Sequence, residues 1–159
     1  MLEQKKVAYI SAAIHDMCDK KYMNEDHGIN EITTFLKDDV TKEEIDMVKK
    51  IISTMSYSKV KKFGFPDLGS WQNTYHCVRE ADLLCAYDFD RSMIYHMSKG
   101  DCNIEEAFIN AEQLFHKRVF KHREDRLLLS DYAKCKSILL ERSARSRILN
   151  WRSIIYNKL

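Results

Sequence analysis

The chain has 159 residues, 45% of them hydrophobic and 31% charged, a balance that suits a globular domain with a real core. Its formal net charge of +2 is too small to imply nucleic acid as an obligate partner, and four Gly with one Pro leave few turn breakers for a β-rich fold. The expected class is therefore all-α, a bundle of six or seven helices without significant sheet.

Five Cys, at positions 18, 77, 85, 102 and 135, include no C-x-x-C pair, which reads as reduced thiols in a cytoplasmic compartment. No run approaches the roughly 18 apolar residues that span a bilayer, so no membrane partner is expected. The opening Met-Leu-Glu-Gln-Lys-Lys has neither a signal-peptide nor a transit-peptide pattern.

Taken in order, Val7, Ile10, Ile14 and Met17 recur at spacings of three and four and predict a helix over 3–17, with His15 and Asp16 at its end. Ala12 and Ala13 are small enough to let a neighbouring helix approach. Residues 18–28 read as a polar loop, followed by a helix over 29–36. Thr41-Lys42-Glu43-Glu44 fits a capping box and opens a helix carrying Ile45, Val48, Ile51, Ile52 and Met55. Residues 56–70 hold the only Pro and two of the four Gly, and read as an irregular stretch. Within it Tyr57, Ser58, Lys59, Lys61 and Lys62 gather hydroxyls and ammonium groups that suit either an anion or simple solvation.

A helix over 71–87 follows, with Tyr75, Val78, Ala81, Leu84 and Cys85 apolar and Asp82 beside that stripe, where a carboxylate needs a partner. Met93, Ile94, Tyr95 and Met97 predict another helix that Gly100 could stop. Asn103 is a candidate cap for a helix over 104–121, with Ile104, Phe108, Ala111, Leu114, Phe115 and Val119 inward. The last helix, over 130–156, shows Tyr132, Cys135, Ile138, Leu139, Ile148, Leu149 and Ile155 as its stripe, with Arg142, Arg145, Arg147 and Arg152 on a wet face. His76 and His96 read as structural or exposed, and His116 and His122, set among Lys and Arg, read as exposed. The expected organisation is one domain over 1–159, with a core over 1–100 and C-terminal helices over 101–159 packed on it.

An adjacent imidazole and carboxylate, His15 and Asp16, suit a divalent metal of borderline hardness. Ala12-Ala13-Ile14-His15-Asp16, a further helix pair and then Arg79-Glu80-Ala81-Asp82-Leu83-Leu84 resemble the HD-domain metal-dependent phosphohydrolases. The similarity is closest to a branch whose motif continues His-Asp-x-x-Asp-x-Lys, matched by His15, Asp16, Asp19 and Lys21, with Tyr22 at an aromatic position. Ile51-Ile52-Ser53-Thr54-Met55-Ser56-Tyr57 and the segment from Glu112 to Arg147 are similar to that branch as well.

The resemblance implies one divalent ion (Mn, Fe, Zn, Ni or Mg) bound by His15, Asp16 and Asp82. It implies Asp19, Lys20 and Lys21 at the reacting centre, Lys59, Lys61, Arg79 and Arg91 as phosphate-binding cations, and a nucleotide or other small phosphoester as substrate. It departs from the family at two places. No His precedes His15, so the first metal-binding His is missing, and Cys85 stands where the branch often has an acid. His27 is the candidate substitute ligand. Two functional readings follow, a metal-dependent phosphohydrolase and a degenerate member kept as a binding or interaction module. A third, remote reading has the basic C-terminal helix meet nucleic acid.

Overall fold

The computed structural model describes residues 2–18, 24–99 and 102–156. It is all-α: the described residues hold eight α-helices and three short 3₁₀ turns, with no strand among them. The chain divides into two compact units, Met1–Arg79 and Glu80–Leu159, with the boundary inside a helix, whereas the sequence reading put its internal boundary at residue 100.

In the first unit α1 (Leu2–Ile14) runs into a 3₁₀ turn at His15–Cys18, followed by α2 (Glu25–Leu36) and α3 (Lys42–Thr54). The stripe expected on α3 is what this unit is built around. Ile45, Val48, Ile51, Ile52 and Met55 are buried with Val7 of α1 and with Ile32 and Leu36 of α2. Helix α1 packs on α3, and the small residue at the buried face of α1 is Ser11. Ala12 and Ala13, expected at the close approach, are exposed instead. A turn of 3.6 residues puts position 11 directly over Val7, while 12 and 13 rotate away from it.

The capping box forms as read. The Thr41 hydroxyl accepts the Glu44 N–H at 3.3 Å, and Glu44 Oε2 accepts the Thr41 N–H at 2.9 Å. Lys6 of α1 adds an ion pair to the same oxygen at 2.8 Å. That ammonium and the Thr41 donors hold the buried Glu44 carboxyl below its ordinary value of 4.5 against the opposing effect of burial. A depressed acid stabilises the fold above its unfolded pKa, and the gain is lost as pH falls through the folded value. Glu44→Ala is expected to cost about 1–2 kcal/mol at pH 7. The gap to wild type should shrink as the pH drops below 4.5. Urea midpoints at pH 7 and pH 3 check this, and a gap that widens in acid would refute it.

The stretch expected to be irregular contains one more helix, α4 (Tyr57–Phe63), so the described residues hold eight helices rather than six or seven. Ser56 caps α4 by accepting the Lys59 N–H, and Gly64 stops it at φ 77°, a left-handed conformation that costs glycine little. A 3₁₀ turn at Gly69–Trp71 leads into α5 (Gln72–Cys85).

The second unit takes the end of α5, then α6 (Phe89–Ser98), α7 (Ile104–Lys117), a 3₁₀ turn at Val119–Lys121 and the long α8 (Asp131–Tyr156). Asp88 caps α6 and Asn103 caps α7, the latter in a second capping box with Glu106. Gly100, the expected stop after α6, lies outside the described residues. Phe89, Phe108 and Phe115 meet edge to face at 5.1–5.9 Å, and Ala111, Ala144 and Ile148 complete the core around them. Asp90 accepts from Arg147 Nε at 2.8 Å and Trp151 Nε1 at 2.7 Å, which ties α6 to α8.

The inward face of α8 differs from the expected stripe. Ala133, Ser137, Ala144 and Ile148 are buried, whereas Tyr132, Cys135, Ile138, Leu139 and Leu149 are exposed. What α8 packs on the α6 and α7 rings is Ala144 and Ile148 with the partly buried Leu140, Trp151 and Ile155, so of the expected stripe only Ile148 and Ile155 face that core. No helix among the described residues is long and apolar enough to cross a membrane.

Candidate metal-binding turn

Helix α1 ends where its apolar pattern gives out, and the 3₁₀ turn that follows presents His15 and Asp16 together. His15 is half-buried and Asp16 is exposed. His15 Nδ1 lies 2.8 Å from the Ala12 carbonyl oxygen. A carbonyl only accepts, so Nδ1 carries the proton, and in the neutral ring Nε2 is left with its lone pair. That nitrogen stands 3.3 Å from Asp16 Oδ1. An imidazole nitrogen and a carboxylate oxygen that close can face one cation together. A His whose far ring nitrogen is anchored to a backbone carbonyl is the usual second-shell arrangement of a metal-ligating imidazole. The donor chemistry of the pair, a fixed imidazole nitrogen and a carboxylate, fits a divalent ion.

The other expected residues are placed as follows. Asp82 lies on α5, half-buried, within the second unit. Asp19, Lys20, Lys21 and the aromatic Tyr22 lie outside the described residues. His27 stands in the first turn of α2, with its N–H on Asn24 Oδ1 and Nε2 4.0 Å from Glu31. Among the described residues no three His, Cys, Asp or Glu side chains form a group that could hold a metal.

Of the cations expected to meet phosphate, Lys59 turns back to give Nζ to the Ser53 carbonyl at 2.7 Å, at the negative end of the α3 dipole. Lys61 is exposed on α4, and Arg91 is exposed in the first turn of α6. Arg79 is buried, its guanidinium 4.7 Å from the Phe65 ring centroid and Nη2 3.4 Å from His76 Nδ1. The Leu68 N–H occupies Gln72 Oε1, so the Gln72 amide nitrogen faces His76 Nε2 at 2.9 Å. The Phe65–His76–Arg79 stack is the feature that sequence reading missed. Its only signal is Gln72, His76 and Arg79 at helical spacing on one face of α5, a pattern common on ordinary surface helices.

Compared with known proteins, the chain matches no family model, no curated protein and no solved structure.

Proposed function

We propose that this protein is a metal-dependent phosphohydrolase of the HD type, acting on a nucleotide or another small phosphoester. The observation that supports the reading is the His15 ring, held through Nδ1 at the Ala12 carbonyl with Nε2 3.3 Å from Asp16 Oδ1, which sets an imidazole and a carboxylate side by side. The resemblance would have His15, Asp16 and Asp82 hold one divalent ion, which would supply an acidified water and a polarised phosphoryl oxygen. Asp19 orients the attacking water or takes its proton. Lys20 and Lys21 join Lys61, Arg91, Lys59 and Arg79 as the cations that offset charge on the phosphoryl oxygens. Among the described members of that group Lys61 and Arg91 are exposed, while Lys59 is held at the Ser53 carbonyl and Arg79 against Phe65.

A second reading, a degenerate member that binds without turnover, is favoured by the lack of a three-donor group among the described residues. Hydrolysis of bis-p-nitrophenyl phosphate and p-nitrophenyl phosphate, assayed with Mn, Fe, Zn, Ni and Mg in turn, separates the two. The phosphohydrolase gives turnover that a chelator stops and Asp82→Ala removes. Absence of turnover with every metal assigns the protein to the binding class.

A further inference from the structure

The face of α8 turned away from its core carries a second pattern. Tyr132, Cys135, Leu139, Arg142, Ser146, Leu149, Ser153 and Tyr156 recur at alternating spacings of three and four, and every one of them is exposed. That is a heptad seam, the arrangement by which one helix packs along another. The apolar residues on or beside it are open to solvent, Tyr132 72%, Ile138 45%, Leu139 59% and Leu149 61% exposed, while Tyr156, 47% exposed, also sets its ring edge against Phe108. Their open surface is on the order of 500 Å², near the upper end for the largest patch on an ordinary monomer. With the Cys, Ser and Arg stems between them it approaches the ~800 Å² per partner of a standard interface.

What covers this seam is indicated by its order. Read from either end, it runs aromatic, small, leucine, polar, and the two halves meet at Ala144. Reversal about that point sets Tyr132 against Tyr156, Cys135 against Ser153, Leu139 against Leu149 and Arg142 against Ser146. A two-fold interface requires a surface complementary to its own reversed copy. The seam also holds a single charged residue, Arg142. Arg145, Arg147 and Arg152, which flank the buried side, are paired within the chain to Glu141, Asp90 and Glu112. A nucleic-acid surface would instead present its cations outward.

We propose that α8 pairs antiparallel with α8 of a second copy of this chain, about a two-fold axis at Ala144. Leu139 of one copy then packs on Leu149 of the partner subunit, with tyrosine pairs at both ends of the seam. The two Arg142 side chains lie within about one helical turn of each other along the axis, so the dimer tightens as salt screens them.

Sedimentation velocity on the whole chain at micromolar concentration tests this. The expected species has about twice the 18.8 kDa chain mass, and Leu139→Glu with Leu149→Glu returns it to monomer with unchanged helical circular dichroism. The register is read by cross-linking Ser153→Cys, with Cys18, Cys77, Cys85 and Cys102 changed to Ser, using a bis-maleimide matched to the roughly 8–10 Å between packed helices. Antiparallel pairing links the introduced thiol to Cys135 of the partner subunit. A wild-type monomer, a dimer that survives the two glutamates, a nucleic-acid complex lost with them, or a Cys135-to-Cys135 link would each overturn the proposal.

Discussion

If the proposed phosphohydrolase function holds, replacing His15 with alanine is expected to lower metal-dependent phosphoester hydrolysis by about 100-fold or more and to leave the fold intact. The estimate follows from metal sites, where even outer-shell partners of a ligand carry 10–100-fold effects and the ligand itself carries at least as much. The conformational loss is small by comparison. The bond from Nδ1 to the Ala12 carbonyl lies within a single turn of chain, and such a bond contributes about 1 kcal/mol. Initial rates with bis-p-nitrophenyl phosphate and added Mn, taken beside thermal unfolding, separate the two effects. A variant that unfolds like wild type and turns over at the wild-type rate would remove His15 from the chemistry.

Replacing Glu80 with alanine is expected to cost about 3 kcal/mol of stability, the largest loss anticipated from any single side chain outside the apolar cores. Glu80 is buried, and its carboxylate accepts the backbone N–H groups of Leu129 and Ser130 together with the Ser130 hydroxyl. Ser130 in turn accepts the Ala133 N–H at 3.1 Å, so the acid holds the residue that caps α8. Without it two backbone donors lose their charged partner and the cap loses its orientation. Because the two side chains act together, Ser130→Ala should cost far less in the Glu80→Ala background than alone. Urea unfolding of the four-member cycle measures this. Additive losses would mean that the acid and the cap are independent.

Much of the fold is legible in the sequence where one signal dominates. Thr41 and Glu44 mark a helix start by chemistry alone, and the stripe from Ile45 to Met55 has a single apolar face. The missed elements are those where signals compete. Helix α4 is seven residues long and rich in lysine, too short for periodicity to show, and its evidence is a Ser cap and a Gly stop. Helix α8 has two faces with helical spacing. The exposed one reads as core because it is about as apolar as the face that carries Leu140, Ala144, Ile148, Trp151 and Ile155 onto the α6 and α7 rings.

The candidate site shows the same division. His15 and Asp16 are adjacent in the chain, so their proximity is written locally, and the structure adds what sequence lacks, the carbonyl that fixes the tautomer. The burial of Arg79 against Phe65 depends on a loop fold that no local pattern specifies.

Metal stoichiometry is the most direct test of the central claim, that one imidazole and two carboxylates share a single ion. The purified chain should bind one Mn per molecule in equilibrium dialysis. His15→Ala, Asp16→Ala and Asp82→Ala should each abolish that binding with helical content unchanged. Binding that persists in Asp82→Ala, or a wild-type chain that takes up no divalent ion, would contradict the account.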